Sequence, residues 1–373
     1  MKLSRTLCCA SVCVPLVACD PFAAPDSMLD EYVTRVGRVL DVEVALSPVP
    51  PAPALPRLRE RTRPLPEFRV GMRDFLGLYG CGLQHVVGAR NSGLGRVMHP
   101  SSRLEYELRF IRTADECLPR LERSQLADRL EAVTVAKREA LADVAWNAVW
   151  GTREVEDLFT RSQGALRIGV DRNAVGNMVD DLRRMEGSVA RVLGGELDVD
   201  VGALDAVYQR WLSQPLAGQV IRSALLLTVR LNDAAALVEA RLGDRPLCHR
   251  KVQTRQAKTM RSMFTAVYVG HVQPYLADVQ HVRRELLPPL QALARIEGEG
   301  HGDAFDAYLQ AAVGDNSEGS HWQAFDRAVA RHTRAWQQLL EQCGMRPGSG
   351  QAGVSSEVSA PVQHTAPAAP LTV

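Results

Sequence analysis

The sequence predicts an all-α protein, an extended bundle of many helices closed by two disulfides. Three observations predict it. Apolar residues recur at three- and four-residue steps along most of the chain, which is the repeat of a helix with one buried face. The composition is 46% apolar over 373 residues, enough to bury one large core or two modest ones. The cysteines expected to remain in the mature chain lie at the ends of contiguous helical stretches.

The first helix is marked by Leu29, Tyr32, Val33, Val36, Val39 and Leu40, with Asp26 or Ser27 as its cap. A proline-rich segment follows over 48–66, including Pro50-Pro51-Ala52-Pro53. Proline lacks the amide a helix needs, so this segment is expected to lie extended across the surface. Within it Arg57, Arg59, Arg61 and Arg63 alternate. A solvated linker is the expected state, and contact with lipid headgroups or a polyanion is the alternative.

Helices are then expected at about 68–89, 100–112 and 124–149, with Pro100 in a first helical position where its missing amide proton is not needed. A second group covers about 172–193, 201–212, 215–242 and 252–293. Pro274 and the pair Pro288-Pro289 are expected to kink or split the last of these, and Gly298 to Gly302 form a loop. The closing helix has the clearest pattern: Trp322, Phe325, Val329, His332, Trp336, Leu339 and Cys343 form a seam for a partner helix. His332 falls on that seam and reads as a hydrogen-bonded core histidine. The helical domain spans 27–344, with possible lobes at 27–163 and 172–344. Residues 345–373, rich in Gly, Ser, Ala and Pro, are expected to form a disordered tail.

The N-terminus sets the expected address. Lys2 and Arg5 precede an apolar run from Leu7 to Ala18, twelve residues long, which is too short to span a bilayer. The run ends in Leu16-Val17-Ala18-Cys19, which resembles the lipobox of bacterial lipoproteins. That resemblance implies a signal peptide over 1–18 and a lipidated Cys19, with membrane lipid as its partner. Two or more acyl chains hold a protein firmly on a bilayer. Asp20 resembles the signal for retention in the inner membrane. The tether over 19–26 reaches only ~20 Å, which places the domain close to the periplasmic face.

Removing residues 1–18 takes away Cys8, Cys9 and Cys13, and acylation would occupy Cys19, leaving Cys81, Cys117, Cys248 and Cys343. An even count in an oxidising compartment points to disulfides. Of the three possible pairings, 81–117 and 248–343 are favoured because each pair brackets a contiguous helical stretch. The rival is a metal site using Cys81 with His85, or Cys248 with His249. No further ligand stands at zinc-like spacing, so no metal is expected.

Charge excludes some partners. Without residues 1–18 the chain carries 42 basic residues against 43 acidic ones, and it has no global attraction to nucleic acid. Lysine occurs only at 2, 137, 251 and 258. The arginine excess reads as coding bias, with phosphate or carboxylate recognition as the alternative. No nucleophile turn, S-x-x-K, H-E-x-x-H or phosphate loop is present, so no catalytic residue and no cofactor is assigned. The most specific local feature is the turn over 89–98. Two glycines there permit unusual backbone angles, and Arg90, Asn91, Ser92 and Arg96 offer donors to an anion. The plainer reading is a well-capped turn between helices, with Glu105 and Glu107 pairing with those arginines.

The run YGCGLQHVVGARNSGLGRVMHPSSRLEYELRFI over 79–111, with VQPYLADV over 272–279 and AWQQLLEQCG over 335–344, is similar to a family of uncharacterised bacterial lipoproteins known only as a domain of unknown function. The resemblance implies a lipid-anchored, mostly helical envelope protein and carries over no activity. The expected function is non-enzymatic binding or scaffolding of an envelope protein or cell-wall partner. The alternative is a hydrolase or transferase acting on envelope material, with the 89–98 turn and Glu105 or Glu107 in its site.

Overall fold

The structure, a computed structural model, describes residues 20–68, 70–93, 95–122, 124–296, 303–314 and 319–345. The signal segment with Cys19, the 298–302 loop and the tail over 346–373 lie outside the described residues. Among the described residues the secondary structure is helical, with no strand. In chain order the helices are α1 (Pro25–Leu40), α2 (Leu58–Arg61), α3 (Met72–Gly77), α4 (Leu83–Asn91), α5 (Pro100–Cys117), α6 (Gln125–Glu139), α7 (Leu141–Val149) and α8 (Glu154–Leu158). They continue as α9 (Arg172–Leu193), α10 (Ala203–Ser213), α11 (Leu216–Asp244), α12 (Arg255–Met263), α13 (Gln273–Ile296), α14 (Asp303–Ala312) and α15 (His321–Gln342).

The longest helix, α11, is buried on most of its surface and packs between α15 and α1, while α13 lies against α9. The seam read from the sequence is the inner face of α15: Trp322, Phe325, His332, Trp336, Leu339 and Cys343 are buried, and Val329 is half-buried. At Gly218 α11 passes so close to the carbonyl oxygen of Thr160 that any side chain would collide with it. Glycine there lets the helix meet the end of α8 directly.

Two hydrophobic cores result. The larger takes side chains from α1, α5 and α7 to α15. The smaller holds Leu78, Cys81, Leu83, Val86, Val87, Phe110, Ala114, Cys117 and Leu130. Helix α5 serves both: Leu104, Leu108 and Ile111 face the larger core, and Phe110, Ala114 and Cys117 the smaller.

Both favoured disulfides are present, Cys81 to Cys117 and Cys248 to Cys343, with Cα separations of 5.7 and 5.0 Å. They use the sulfurs that the metal alternative required. The smaller core is built from far fewer side chains than the larger one, so a cross-link is expected to contribute a larger share of its stability. Replacing Cys81 and Cys117 together by serine is expected to destabilise it by about 2–4 kcal/mol. Hydrogen exchange should quicken in α4 and the end of α5 while α11 and α15 keep their protection.

Several local expectations change. Helix α1 starts at Pro25, so Asp26 and Ser27 lie in the first turn and do not cap it; Asp26 instead approaches Arg222 at 3.5 Å. The helix expected over 68–89 breaks into α3 and α4, and the one over 124–149 breaks at Ala140. The helical run from α12 to α13 is not split. A wider-turned π segment, Phe264–Val272, precedes Pro274, and α13 continues through Pro288 and Pro289. Loosening the turn ahead of Pro274 makes room where its ring and absent amide disturb a tight helix.

The proline-rich segment is extended as expected, apart from the single turn α2, but it is not a free linker. Arg61 is 1% exposed and donates to the carbonyl oxygens of Pro56, Trp150 and Thr152 and to Glu156. Trp146 donates its ring N–H to the Arg61 carbonyl at 2.6 Å. Two residues on, Arg63 and Asn147 exchange hydrogen bonds of 2.8 and 2.9 Å, so the segment is clamped along α7.

Candidate functional site

Clamping that segment creates a cleft. Its one wall is residues 62–68; the other is the end of α4 with α5, α6 and α7, where the two cores meet. The cleft measures about 850 Å³ and is lined by Arg63, Phe68, Arg90, Asn91, Arg103, Tyr106, Lys137 and Asn147, among others.

Its floor is a buried ion triplet. Glu107 on α5, 2% exposed, accepts from Lys137 Nζ at 2.6 Å on one oxygen, and Arg103 Nε lies 2.5 Å from the other as an ion pair without hydrogen-bond alignment. Arg103 stands one helical turn before Glu107, the spacing that brings two side chains together on a helix. Lys137, 6% exposed, also sits against three aromatic rings, with its nitrogen 4.6 Å from the Phe110 centroid, 5.2 Å from Tyr106 and 5.4 Å from Phe68. Burial lowers the Lys137 pKa and outweighs the lift from Glu107, while Arg103 and Arg90 push it the same way as burial. The Tyr106 hydroxyl is pushed up to about 12, first by burial and then by Glu107.

The turn over 89–98 forms one lip. Ser92 Oγ donates to the Ala89 carbonyl at 2.8 Å and accepts from Gly95 N at 3.0 Å, and Arg90 donates to the Gly95 carbonyl. Ser92 is therefore spent on the turn itself. Neither Gly93 nor Gly95 adopts a positive φ. Gly95 is needed because a Cβ would strike the carbonyls of Ala89 and Arg90. Arg90 and exposed Asn91 line the cleft. Arg96 lies in the short turn Gly95–Val97, and its side chain is outside the described residues.

Glu105 and Glu107 part company. Residues two apart on a helix point to nearly opposite faces, so Glu107 is in the floor while Glu105 is exposed on the far side of α5, beside Arg109 and Arg112 in a different hollow. The cleft residues missed in the sequence are Arg103, Tyr106 and Lys137. Arg103 was visible as the partner of Glu107 at four-residue spacing, and Lys137 as one of very few lysines in an arginine-rich chain. Among the described residues no group of three or more His, Cys, Asp or Glu side chains is placed to hold a metal ion. None of the described helices is long and apolar enough to cross a membrane.

Structure and site thus define a helical, disulfide-bonded protein with a basic cleft at the seam between two cores. In sequence the chain belongs to the DUF3080 family, a family of proteins of unknown function, which it matches over residues 29–347. No curated protein and no solved structure matches the chain.

Proposed function

We propose that this is a lipid-anchored envelope protein facing the periplasm, held through acylated Cys19 and retained at the inner membrane by Asp20. In this reading it is a non-enzymatic binding protein whose cleft between the proline-rich segment and α5 takes an envelope protein or cell-wall component. The carrying observation is the pair of disulfides at 81–117 and 248–343. Such bonds persist in oxidising compartments and are rare in the cytosol, and they accord with the lipobox-like Leu16-Val17-Ala18-Cys19.

The enzyme alternative is less well supported. Of its two acids, Glu105 is outside the cleft, and Glu107 is buried in ion pairs with Lys137 and Arg103; the carboxylate that does line the cleft, Glu67, is exposed at its rim.

Labelling cells with radioactive palmitate tests the anchor. The wild-type protein should take up label and fractionate with inner membranes. Cys19→Ala should lose the label completely and become soluble; label retained in Cys19→Ala overturns the anchor. A photo-crosslinking residue at Asn91 in intact cells tests the cleft. It should capture an envelope component that the same residue at Glu105 does not.

A further inference from the structure

We propose that the cleft binds a phosphate group, with Lys137, Arg103 and Arg90 as its cationic lining and Glu107 as the buried brace that holds two of them in place. The inference rests on reading the cleft as the binding site and adds the chemistry of the ligand.

Charge balance carries the argument. Three cations, Arg90, Arg103 and Lys137, line this corner, and one carboxylate, Glu107, is buried behind two of them. Arg63 on the opposite wall is already matched by Asp143 at 3.0 Å. Glu67, the carboxylate among the lining residues, is exposed at the rim, where solvent screens it. The floor and inner lip therefore hold about two uncompensated positive charges in a half-buried place, which a protein does not maintain without cost. A phosphate monoester carries about −1.5 to −2 at neutral pH. It closes that balance, whereas a single carboxylate leaves one charge over.

Geometry agrees with the charge. Arg103 sits against Glu107 on its Nε side, as an ion pair without hydrogen-bond alignment, and the two terminal nitrogens of its guanidinium carry donors for a ligand. Guanidinium forks suit phosphate oxygens, and an ammonium adds a compact point charge. Lysine in place of the usual arginine also fits the space at 137, where the cation is enclosed by Phe68, Tyr106 and Phe110. Asn91 at the lip supplies an amide donor. Phe68 and Tyr106 form an apolar wall beside the charges, suited to a phosphate carried on an apolar or ring-bearing body.

Calorimetric titration of the purified full chain with inorganic phosphate tests the proposal, with acetate and succinate as comparison anions. Phosphate should bind at one site, at least tenfold tighter than acetate and tighter than succinate. Arg90→Gln, which leaves the buried triplet intact, should weaken phosphate about tenfold, as expected for losing one charge-assisted contact. Glu67→Gln removes the opposing rim charge and should tighten it about two- to threefold. A second arm uses phosphatidylcholine vesicles with and without phosphatidic acid. Competition by the phosphatidic acid vesicles with free phosphate assigns the group to a lipid headgroup; no competition assigns it to a soluble phosphate compound. Either source sustains the proposal. Phosphate binding no tighter than acetate, or unchanged in both Arg90→Gln and Glu67→Gln, overturns it. If phosphate fails while the Asn91 crosslinker still captures its envelope component, the cleft remains the binding site and only the ligand class is wrong. If both fail, the cleft reading falls with it.

Discussion

Replacing Arg61 by alanine is expected to destabilise the protein by about 3–5 kcal/mol, the range for removing one member of a buried charged network. The guanidinium is buried and joins three main-chain carbonyls, those of buried Trp150 and Thr152 and of half-buried Pro56, to Glu156 at 2.8 Å. Burial lowers its pKa, and Glu156 opposes that shift. Alanine leaves those carbonyls unpaired and a cavity beside Trp150, and each unpaired buried polar group costs about 1–3 kcal/mol. Controls separate the causes. Glu156→Gln should cost under about 1 kcal/mol, because that carboxylate is half exposed. Arg61→Lys keeps the charge but has no planar fork to reach several acceptors, and should recover less than half of the loss. Urea unfolding of the variants reads all of these. A loss below about 1 kcal/mol for Arg61→Ala would mean that the proline-rich segment is not anchored through this residue. Because the same segment forms one wall of the cleft, Arg61→Ala should also weaken binding there without altering a single lining residue.

The helical class was legible because apolar spacing records which face of each helix is buried, and the α15 seam needed nothing more than counting. Disulfide partners were legible because each pair brackets a contiguous helical stretch, and Cys343 also falls on that buried seam. The role of Arg61 was not legible. Its partners are main-chain oxygens some ninety residues further along, and carbonyls carry no sequence signature. Of the four alternating arginines only the one brought inward by the turn α2 is buried, and a four-residue helix is too short to leave a period.

The cleft was half visible for similar reasons. The 89–98 turn and Glu107 lie where the pattern pointed. Helix geometry sent Glu105 to the other face, and Ser92 closes the turn without offering its hydroxyl outward. Lys137 reaches Glu107 only through the packing of α6 on α5, a tertiary fact that no local spacing encodes.

Acidification should unfold the protein through His332. This imidazole is 1% exposed on α15, and burial lowers its pKa from 6.5 to about 3. Its partners define a relay: the Trp336 ring N–H, which can only donate, faces the Tyr32 oxygen at 2.9 Å and His332 Nε2 at 3.1 Å, which assigns the 2.6 Å bond between Tyr32 and Nε2 to the Tyr32 hydroxyl as donor. Nε2 is therefore an acceptor, and the ring is neutral with its proton on Nδ1. Protonating Nε2 would force the buried Tyr32 hydroxyl to reverse and would aim two N–H donors at each other, since Trp336 Nε1 also lies 3.1 Å from Nε2. The aromatic rings of Tyr32, Tyr268 and Trp336 surround the imidazole and offer a cation far less than water does. The unfolded chain titrates near 6.5, so below that value it takes up a proton that the folded state refuses. Stability from this group is complete above about pH 6.5 and falls by about 1.4 kcal/mol per unit as pH drops toward 3, reaching a loss of about 3 kcal/mol by pH 4. His321, whose pKa burial also lowers, adds a smaller loss of the same sign. His332→Gln keeps an acceptor for the relay and has no proton to gain, so its stability should fall much less between pH 6.5 and 4 whatever its stability at pH 7. Parallel pH profiles for wild type and variant in urea would show that the relay does not set the acid limit of this fold.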